Sequence, residues 1–256
     1  MILSWYRQNA NDFGMVRATW LLSRVVWRRA YVKTCNTWLR TRVECPCCGW
    51  RGNRFFDYIE AGYTVENAAC PRCDSHSRHR AFFLWLKNTY QIDKKSGIAL
   101  LFAPETALAS LWQIAEGLQS CRLDLESRRN VDVLADIMHL PFGSEVVNLI
   151  WCHHVLEQVR DDRLALRELH RVLISETGHL IVSVGESSDA TTREFGRSEK
   201  ALSGNRRSYG TDFNARLREA GFAVQPLNYN LTADERLRYS VTDEPFYLCV
   251  KNELSI

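Results

Sequence analysis

The stretch GIALLFAPE (97–105) is a continuous apolar run that closes on Pro104 and Glu105. An apolar run of this length is typical of a parallel strand that is buried on both faces of a sheet. The residues that follow, TALASLWQIAEGL (106–118), have the spacing of a helix. We therefore predict a strand over 97–103 followed by a helix, the repeating unit of open parallel sheets.

The alternation of strand and helix continues to the end of the chain. Further strands are predicted over 120–125, 131–136, 146–152 and 178–185, and helices over 162–173 and 209–222. The last two strands, 223–230 and 244–252, are expected to be antiparallel at the edge of the sheet. This order predicts an α/β fold: an open, mostly parallel sheet with helices on both faces.

Composition excludes several other classes of protein. The chain has 256 residues, 46% of them hydrophobic and 25% charged, with a net charge of +3, so an ordinary globular core is expected. Nine cysteines form an odd number, and the first residues lack the pattern of a signal peptide. No stretch is long and apolar enough to predict a transmembrane helix. These features favour a protein of the reducing cytoplasm.

The first 42 residues form a basic segment, with eight Lys or Arg residues and one acid, Asp12. Apolar residues at helical spacing predict an amphipathic helix over 14–42, with tryptophans among the arginines. Such a helix suits the inner face of an anionic membrane as a peripheral contact. We favour packing of its apolar stripe on the rest of the protein, because stripes of this kind are usually core.

Two C-x-x-C pairs, CPCC (45–48) and CPRC (70–73), point to a metal. Two residues between cysteines let both thiolates converge on one ion, and two such pairs give the closed four-sulfur shell of a structural Zn²⁺ site. The predicted ligands are Cys45, Cys48, Cys70 and Cys73. Cys47 is a spare thiol, and His76 and His79 are expected at the surface or at a domain interface.

Acids stand at the ends of two predicted strands. In an open parallel sheet, ligands bind beyond the carboxyl ends of the strands. Asp124 follows the first strand by about twenty residues, the spacing at which a carboxylate binds ribose hydroxyls in nucleoside-binding folds. Asp136 could accept a hydrogen bond from an exocyclic adenine amine while Ile137 covers the ring. The sequence thus predicts a nucleoside pocket at this edge.

Taken together, these motifs resemble a known family. The resemblance rests on FAPE (102–105), DL (124–125), ADIMHLPF (135–142), HVLEQV (154–159), ELHRVL (168–173) and GHLIVSV (178–184). In this order they are similar to class I S-adenosylmethionine-dependent methyltransferases of the type 11 group. Ahead of them, CPCCGWRG (45–52) and CPRCDSHSRHR (70–80) resemble the zinc-ribbon header of a bacterial subgroup often found among polysaccharide or glycolipid biosynthesis functions.

The resemblance implies a Rossmann-like, seven-stranded methyltransferase domain over 97–256, after a basic helix (1–42), a zinc ribbon (43–76) and a connecting helix and linker (77–96). It also implies sites for S-adenosylmethionine. The cofactor would contact Phe102, Ala103, Pro104 and Glu105 around its methionine part, Asp124 with Leu125 at the ribose, Asp136 with Ile137 at the adenine, and Cys152 at the floor. Where the family usually has glycines in the first turn, this chain has Ala103, Pro104 and Ala107.

The implied reaction is methyl transfer to an acceptor that the sequence does not name, and a sugar or glycolipid hydroxyl is preferred. His153 and His154 are the candidate general bases. Arg193, Arg197, Arg206 and Arg207 could hold a phosphate or uronate on the acceptor, or could belong to an exposed loop. Two alternatives stay open: an RNA methyltransferase, and a non-catalytic binding or scaffold protein on the same fold.

Overall fold

The structure, a computed structural model, describes residues 2–59, 63–127, 130–199, 204–242 and 244–252. The helices are α1 (Ile2–Phe13), α2 (Met15–Trp38), α3 (Ser77–Asn88), α4 (Ala109–Ile114), α5 (Asp162–Val172), α6 (Phe213–Glu219) and α7 (Ala233–Tyr239). Short 3₁₀ turns cover Ile92–Lys94 and Thr106–Leu108. In the ranges that the structure describes, no helix has the length and apolar character that crossing a membrane requires.

The strands divide into short hairpins and one large sheet. The hairpin strands are β1 (Val43–Glu44), β2 (Arg51–Gly52), β3 (Phe56–Ile59) and β4 (Thr64–Ala69). The strands that follow are β5 (Gly97–Phe102), β6 (Leu118–Asp124), β7 (Val133–Leu134), β8 (Leu149–His153), β9 (His179–Ser183), β10 (Arg193–Glu199), β11 (Asn205–Ser208), β12 (Phe222–Pro226) and β13 (Tyr247–Lys251).

The chain forms two compact units. Unit 1 comprises Met1–Tyr90, Thr106–Leu111 and Tyr229–Asp243, and unit 2 comprises Gln91–Glu105, Trp112–Asn228 and Glu244–Ile256. The division into these two units does not follow the boundaries expected from the sequence, which were 43–76, 77–96 and 97–256. Helix α3 is part of unit 1 rather than a connection, and two later segments complete that unit.

The helix predicted over 14–42 is present as α2, and a second helix that was not predicted, α1, precedes it. Gly14 has a φ of 86°, outside the helical region, and it separates α1 from α2. The aliphatic side of α2 is buried, as predicted, with Ala18, Leu21 and Val32 fully covered. Its tryptophans lie on the other side and are exposed, so the aromatic residues do not join the core.

Unit 1 is organised around a buried arginine on α3. Arg80 has no exposed surface, and its guanidinium lies 4.0 Å from the ring centroid of Phe55. It donates hydrogen bonds to the carbonyls of Ala68 and Ser75 and to those of Tyr239 and Ser240. One side chain therefore joins the ribbon segment to the end of α7. His79 is buried, and its Nδ1 accepts the amide hydrogen of His76.

Unit 2 contains the predicted sheet, with the strand order β12-β13-β9-β8-β5-β6-β7. Strands β7, β6, β5, β8 and β9 are parallel, and β13 is antiparallel to both of its neighbours. The order reverses direction between β5 and β8, which makes the carboxyl ends of these strands the switch point of a doubly wound fold. This confirms the predicted Rossmann-like α/β fold with a seven-stranded sheet.

Helix α5 shows why the predicted elements form. Asp161 caps it by accepting the amide hydrogen of Leu164 at 2.9 Å. Its inner face buries Ala165, Leu166 and Leu169 completely against the sheet core. Burial of such side chains stabilises the fold by roughly 1.5–3 kcal/mol each for the larger ones, so the periodic apolar spacing over 162–173 fixes both the helix and its orientation.

Candidate functional site

The turn after β5 has the backbone conformation of a glycine but the side chain of an alanine. Ala103 has a φ of 45°, and its amide donates to the carbonyl of Leu123 at 2.9 Å, so the turn stays tied to β6. Left-handed backbone at a non-glycine residue costs roughly 1–3 kcal/mol. The turn therefore keeps the shape for which the family usually has glycine. Phe102 is buried beneath it, whereas Pro104 and Glu105 are partly exposed.

Asp124 ends β6 at the next position along the same edge. One of its carboxylate oxygens accepts the amide hydrogen of Glu126 at 3.1 Å, which fixes the turn. Its carbonyl accepts the amide hydrogen of Ala135 at 3.1 Å, so the segment after β7 lies directly beside it. The side chain of Asp124 is half-buried, and Leu125 is 72% exposed.

Asp136 follows β7 and forms a tight turn of its own. Its carboxylate accepts the amide hydrogen of Met138 at 2.9 Å, and its carbonyl accepts that of His139 at 2.9 Å. Ile137 points into the hydrophobic core and is 5% exposed. Through these backbone bonds, the segments at 102–105, 124–125 and 135–137 lie side by side along one edge of the sheet. These three segments were predicted to lie at the carboxyl ends of the strands, and in the structure they lie next to one another.

The end of β8 supplies one cysteine and two histidines with different surroundings. Cys152 is fully buried in the core of unit 2, and burial raises the pKa of its thiol. His153 is almost fully buried: its Nδ1 shares a hydrogen bond with the Ser183 hydroxyl, and its Nε2 lies 3.8 Å from the Glu105 carboxylate. Because Cys152 is fully buried, its thiol lies beneath the site and is not accessible there.

His154 is the more accessible histidine and is held by a buried carboxylate. Its side chain is 34% exposed, and its Nδ1 lies 2.7 Å from Oε1 of Glu157, whose side chain is 3% exposed. The same oxygen accepts the amide hydrogen of Gly185 at 2.8 Å. A carboxylate can only accept, so Nδ1 carries the hydrogen and Nε2 is the basic nitrogen of the neutral ring.

The arginines of the segment after β9 are not free to bind a ligand as a group. Strands β10 and β11 form a hairpin, and Arg207 is 3% exposed. Its guanidinium donates to the carbonyls of Leu156, Val159 and Arg160 and to the carboxylate of Glu194. A phosphate contact at Arg207, one of the two alternatives predicted, is thus wrong, because the N–H donors of its guanidinium are bonded to carbonyls of the loop at 156–160. Arg193 is exposed, Arg206 is half-buried, and the side chain of Arg197 lies outside the described residues.

The four predicted ligands in unit 1 form one cluster. The Sγ atoms of Cys45, Cys48, Cys70 and Cys73 lie within 4.8 Å of one another, and two of the pairs are 3.6 Å apart. A tetrahedral zinc with sulfur bonds of about 2.3 Å has S–S edges of about 3.8 Å. The thiol of the fifth cysteine, Cys47, instead donates to the carbonyl of His79 at 3.8 Å. The donor set therefore fits Zn²⁺.

The backbone repeats the same turn at both cysteine pairs. Gly49 donates its amide hydrogen to Cys45 and Asp74 donates to Cys70, each to the carbonyl four residues earlier. Both donors have positive φ, 71° and 59°. Four sulfurs this close cannot all ionise without a cation among them.

Comparison with known proteins finds one family that matches part of the chain. The family described as "Methyltransferase domain" matches residues 110–182. No curated protein matches the chain. Solved structures with a similar fold include the 1,6-didemethyltoxoflavin-N1-methyltransferase of Burkholderia thailandensis, which has 14% identity, covers 77% of this chain and 98% of its own, and has a TM-score of 0.46.

Two further structures lie in the same range. A methyltransferase of Haloferax volcanii, solved with the Trm112 methyltransferase activator, has 13% identity, covers 69% of this chain and 94% of its own, and has a TM-score of 0.47. A SAM-dependent methyltransferase of Thermotoga maritima has 18% identity, covers 68% and 91%, and has a TM-score of 0.41. Likenesses this distant say nothing of the acceptor. The finding that bears on the family is therefore the match of residues 110–182 to a methyltransferase domain.

Proposed function

We propose that the chain transfers a methyl group from S-adenosylmethionine to a hydroxyl group of a sugar or glycolipid. The observation that carries this proposal is the row of three strand ends, in which the Ala103 turn, Asp124 and Asp136 are linked by backbone hydrogen bonds. Carboxylates and a tight turn at the switch point of a parallel sheet are the groups that a nucleoside cofactor requires. A structural Zn²⁺ held by the four cysteines is part of the same proposal.

Each residue along this edge of the sheet would bind a different part of the cofactor. Asp124 would accept the ribose hydroxyls, and Asp136 would accept the adenine amine beside the edge of Ile137. The exposed Leu125 would cover the ribose end, and the turn at 102–105 would take the methionine part. When bound, S-adenosylmethionine supplies a methyl group that is already activated, so the chain has only to align the acceptor and take its proton.

The pair His154–Glu157 favours a hydroxyl acceptor. An alcohol must lose its proton as it attacks, and Nε2 of His154 is the nitrogen that can take it. The Glu157 carboxylate holds the ring and would stabilise the imidazolium that forms, as the acid does in other His–carboxylate pairs. His153 lies 4.3 Å from His154, ring centroid to ring centroid, and would act as a positioning residue. The preference for a sugar or glycolipid rests on the subgroup resemblance.

We expect Asp124→Ala to weaken cofactor binding about 10- to 100-fold, because a hydrogen bond to a charged group contributes about 1.5–3 kcal/mol. Isothermal titration with S-adenosylhomocysteine measures this directly. Glu126→Gln, two residues further on, is the matched control and should bind like the parent. Equal affinity in the parent and Asp124→Ala would remove the cofactor site from this edge, and no binding by the parent would favour the scaffold alternative.

We expect His154→Gln to lower kcat about 10²- to 10⁴-fold with little change in cofactor affinity, because a general base contributes a factor of that size. Glu157→Gln should fall between this variant and the parent. His170→Gln on α5 serves as control. The assay is methyl transfer from labelled cofactor to glycolipid, polysaccharide and RNA fractions of cells. Label in RNA would refute the sugar acceptor, and full activity of His154→Gln would refute the base.

A further inference from the structure

Helix α2 carries a row of exposed apolar side chains that the methyltransferase fold does not use. We define the aromatic stripe as Val16, Trp20, Trp27, Tyr31 and Trp38. Their exposed fractions are 88%, 54%, 72%, 44% and 81%. The spacings of four and seven residues keep them within a sector of about 60°, over a length of about 33 Å. Soluble proteins rarely expose a large contiguous apolar surface. Where they do, as in this row of tryptophans, the surface marks an interaction site.

The stripe lies about 120° around the helix from the side by which α2 packs on unit 1. The buried residues Ala18, Leu21, Val32 and Cys35 lie on the other face of the same helix. The stripe is therefore a second face of α2, distinct from the face that packs in the core of unit 1. Two more exposed apolar residues stand near its ends in the sequence, Met15 at 73% and Leu39 at 55%, but both lie outside the sector of the stripe.

The charge around the stripe is almost entirely positive. Among the eight bases of residues 1–42, Arg28 is paired with Asp57 and Glu66, and Arg29 lies over the ring of Phe56. Arg7, Arg17, Lys33, Arg40 and Arg42 are exposed, and the guanidinium of Arg17 lies over the ring of Phe13. Arg24 lies 4.8 Å from the Trp20 ring centroid, at the border of the stripe. The surface thus combines tryptophan with arginine, the composition of helices that lie in the headgroup layer of a membrane.

We infer that α2 docks the protein on an anionic lipid bilayer, with the stripe in the interface and the bases on the headgroups. A second copy fits less well, since two surfaces of equal positive charge would repel. The phosphates of a nucleic acid could pair with the arginines and its nucleobases could stack on the rings. The exposed aliphatic side chains of Val16, Met15 and Leu39 offer it neither kind of contact. This inference goes beyond methyl transfer and does not depend on the cofactor site.

The test is sedimentation of the whole protein with vesicles of phosphatidylcholine alone and with 30% phosphatidylglycerol. We expect binding to the anionic vesicles, weakened by salt, and at least tenfold weaker binding to the neutral ones, because each base near the surface contributes roughly fivefold. The double variant Trp27→Ser/Trp38→Ser should lose at least tenfold in affinity. Leu237→Ser removes a side chain that is 75% exposed on α7, another helix of unit 1, and should bind like the parent.

Zinc content and circular dichroism must match among the variants, so that unfolding is not mistaken for lost docking. The inference is overturned if the parent ignores anionic vesicles, or if Leu237→Ser loses as much binding as the double variant. It is equally overturned if sedimentation equilibrium shows a dimer that the double variant abolishes, or if RNA alone is bound through the same tryptophans.

Discussion

Cys70→Ser is expected to release the metal and unfold the ribbon of unit 1. A structural Zn²⁺ contributes roughly 10–16 kcal/mol of apparent binding free energy that is also folding free energy. The hairpins β1–β2 and β3–β4 have two and four to six residues per strand, too few to be stable alone. Zinc content by atomic emission should fall from one ion per chain to none, with loss of the near-ultraviolet circular dichroism of the nearby aromatic residues.

The control for this experiment is Cys47→Ser, which alters the same knuckle. Its thiol donates to a backbone carbonyl and lies outside the four-sulfur cluster, so serine keeps a donor and the metal should stay. If both variants lose zinc equally, the ligand set is assigned wrongly. If the purified parent holds no zinc and a chelator leaves its unfolding transition unchanged, the metal site itself is refuted.

Arg80→Met is expected to lower the free energy of unfolding by about 3–5 kcal/mol. Methionine has a similar length but no donor. The buried carbonyl of Ala68 and the part-buried carbonyls of Tyr239 and Ser240 therefore lose the partner that Arg80 provides, and a buried group left without one costs about 1–3 kcal/mol. Ser75 suffers less, because its carbonyl also accepts the amide hydrogen of Cys70. The loss of the guanidinium from the ring of Phe55 adds to the effect.

Urea unfolding of the zinc-bound protein measures this loss. Lys87→Met makes the same kind of change on an exposed position of α3 and should shift the free energy of unfolding by less than about 0.5 kcal/mol. A result in which the two variants are equally stable would show that the carbonyls find water or other partners, and that Arg80 does not hold unit 1 together.

The sheet was predictable because its signals are local. The apolar runs at 97–103 and 146–152 predict buried strands, and both are central strands of the sheet. The helix at 162–173 follows from its spacing, with Asp161 as cap. The convergence of the segments at 103, 124 and 136 follows from the rule that the carboxyl ends of parallel strands share an edge. The roles of those residues stay predictions until cofactor binding is measured.

What could not be predicted depends on partners that are distant in the chain. Nothing near Arg80 indicates that it meets carbonyls at 239 and 240, and nothing near Arg207 indicates that it closes the loop at 156–160. Glu157 holds His154, three residues earlier, but nothing near it indicates that it also accepts the amide hydrogen of Gly185. One element had a usable signal: Thr232 and Glu235 form the capping box of α7, which is visible in the sequence TADE.

The interleaving of the two units has a consequence for biosynthesis. The ribosome delivers the first ninety residues of unit 1 early, but the segment Tyr229–Asp243 emerges only after most of unit 2 has been made. Until then the guanidinium of Arg80 lacks two of its acceptors, and the nascent unit 1 is incomplete. Domains usually fold in the order of their synthesis. Here the unit that begins first is the one that must finish late, after its neighbour has had time to fold.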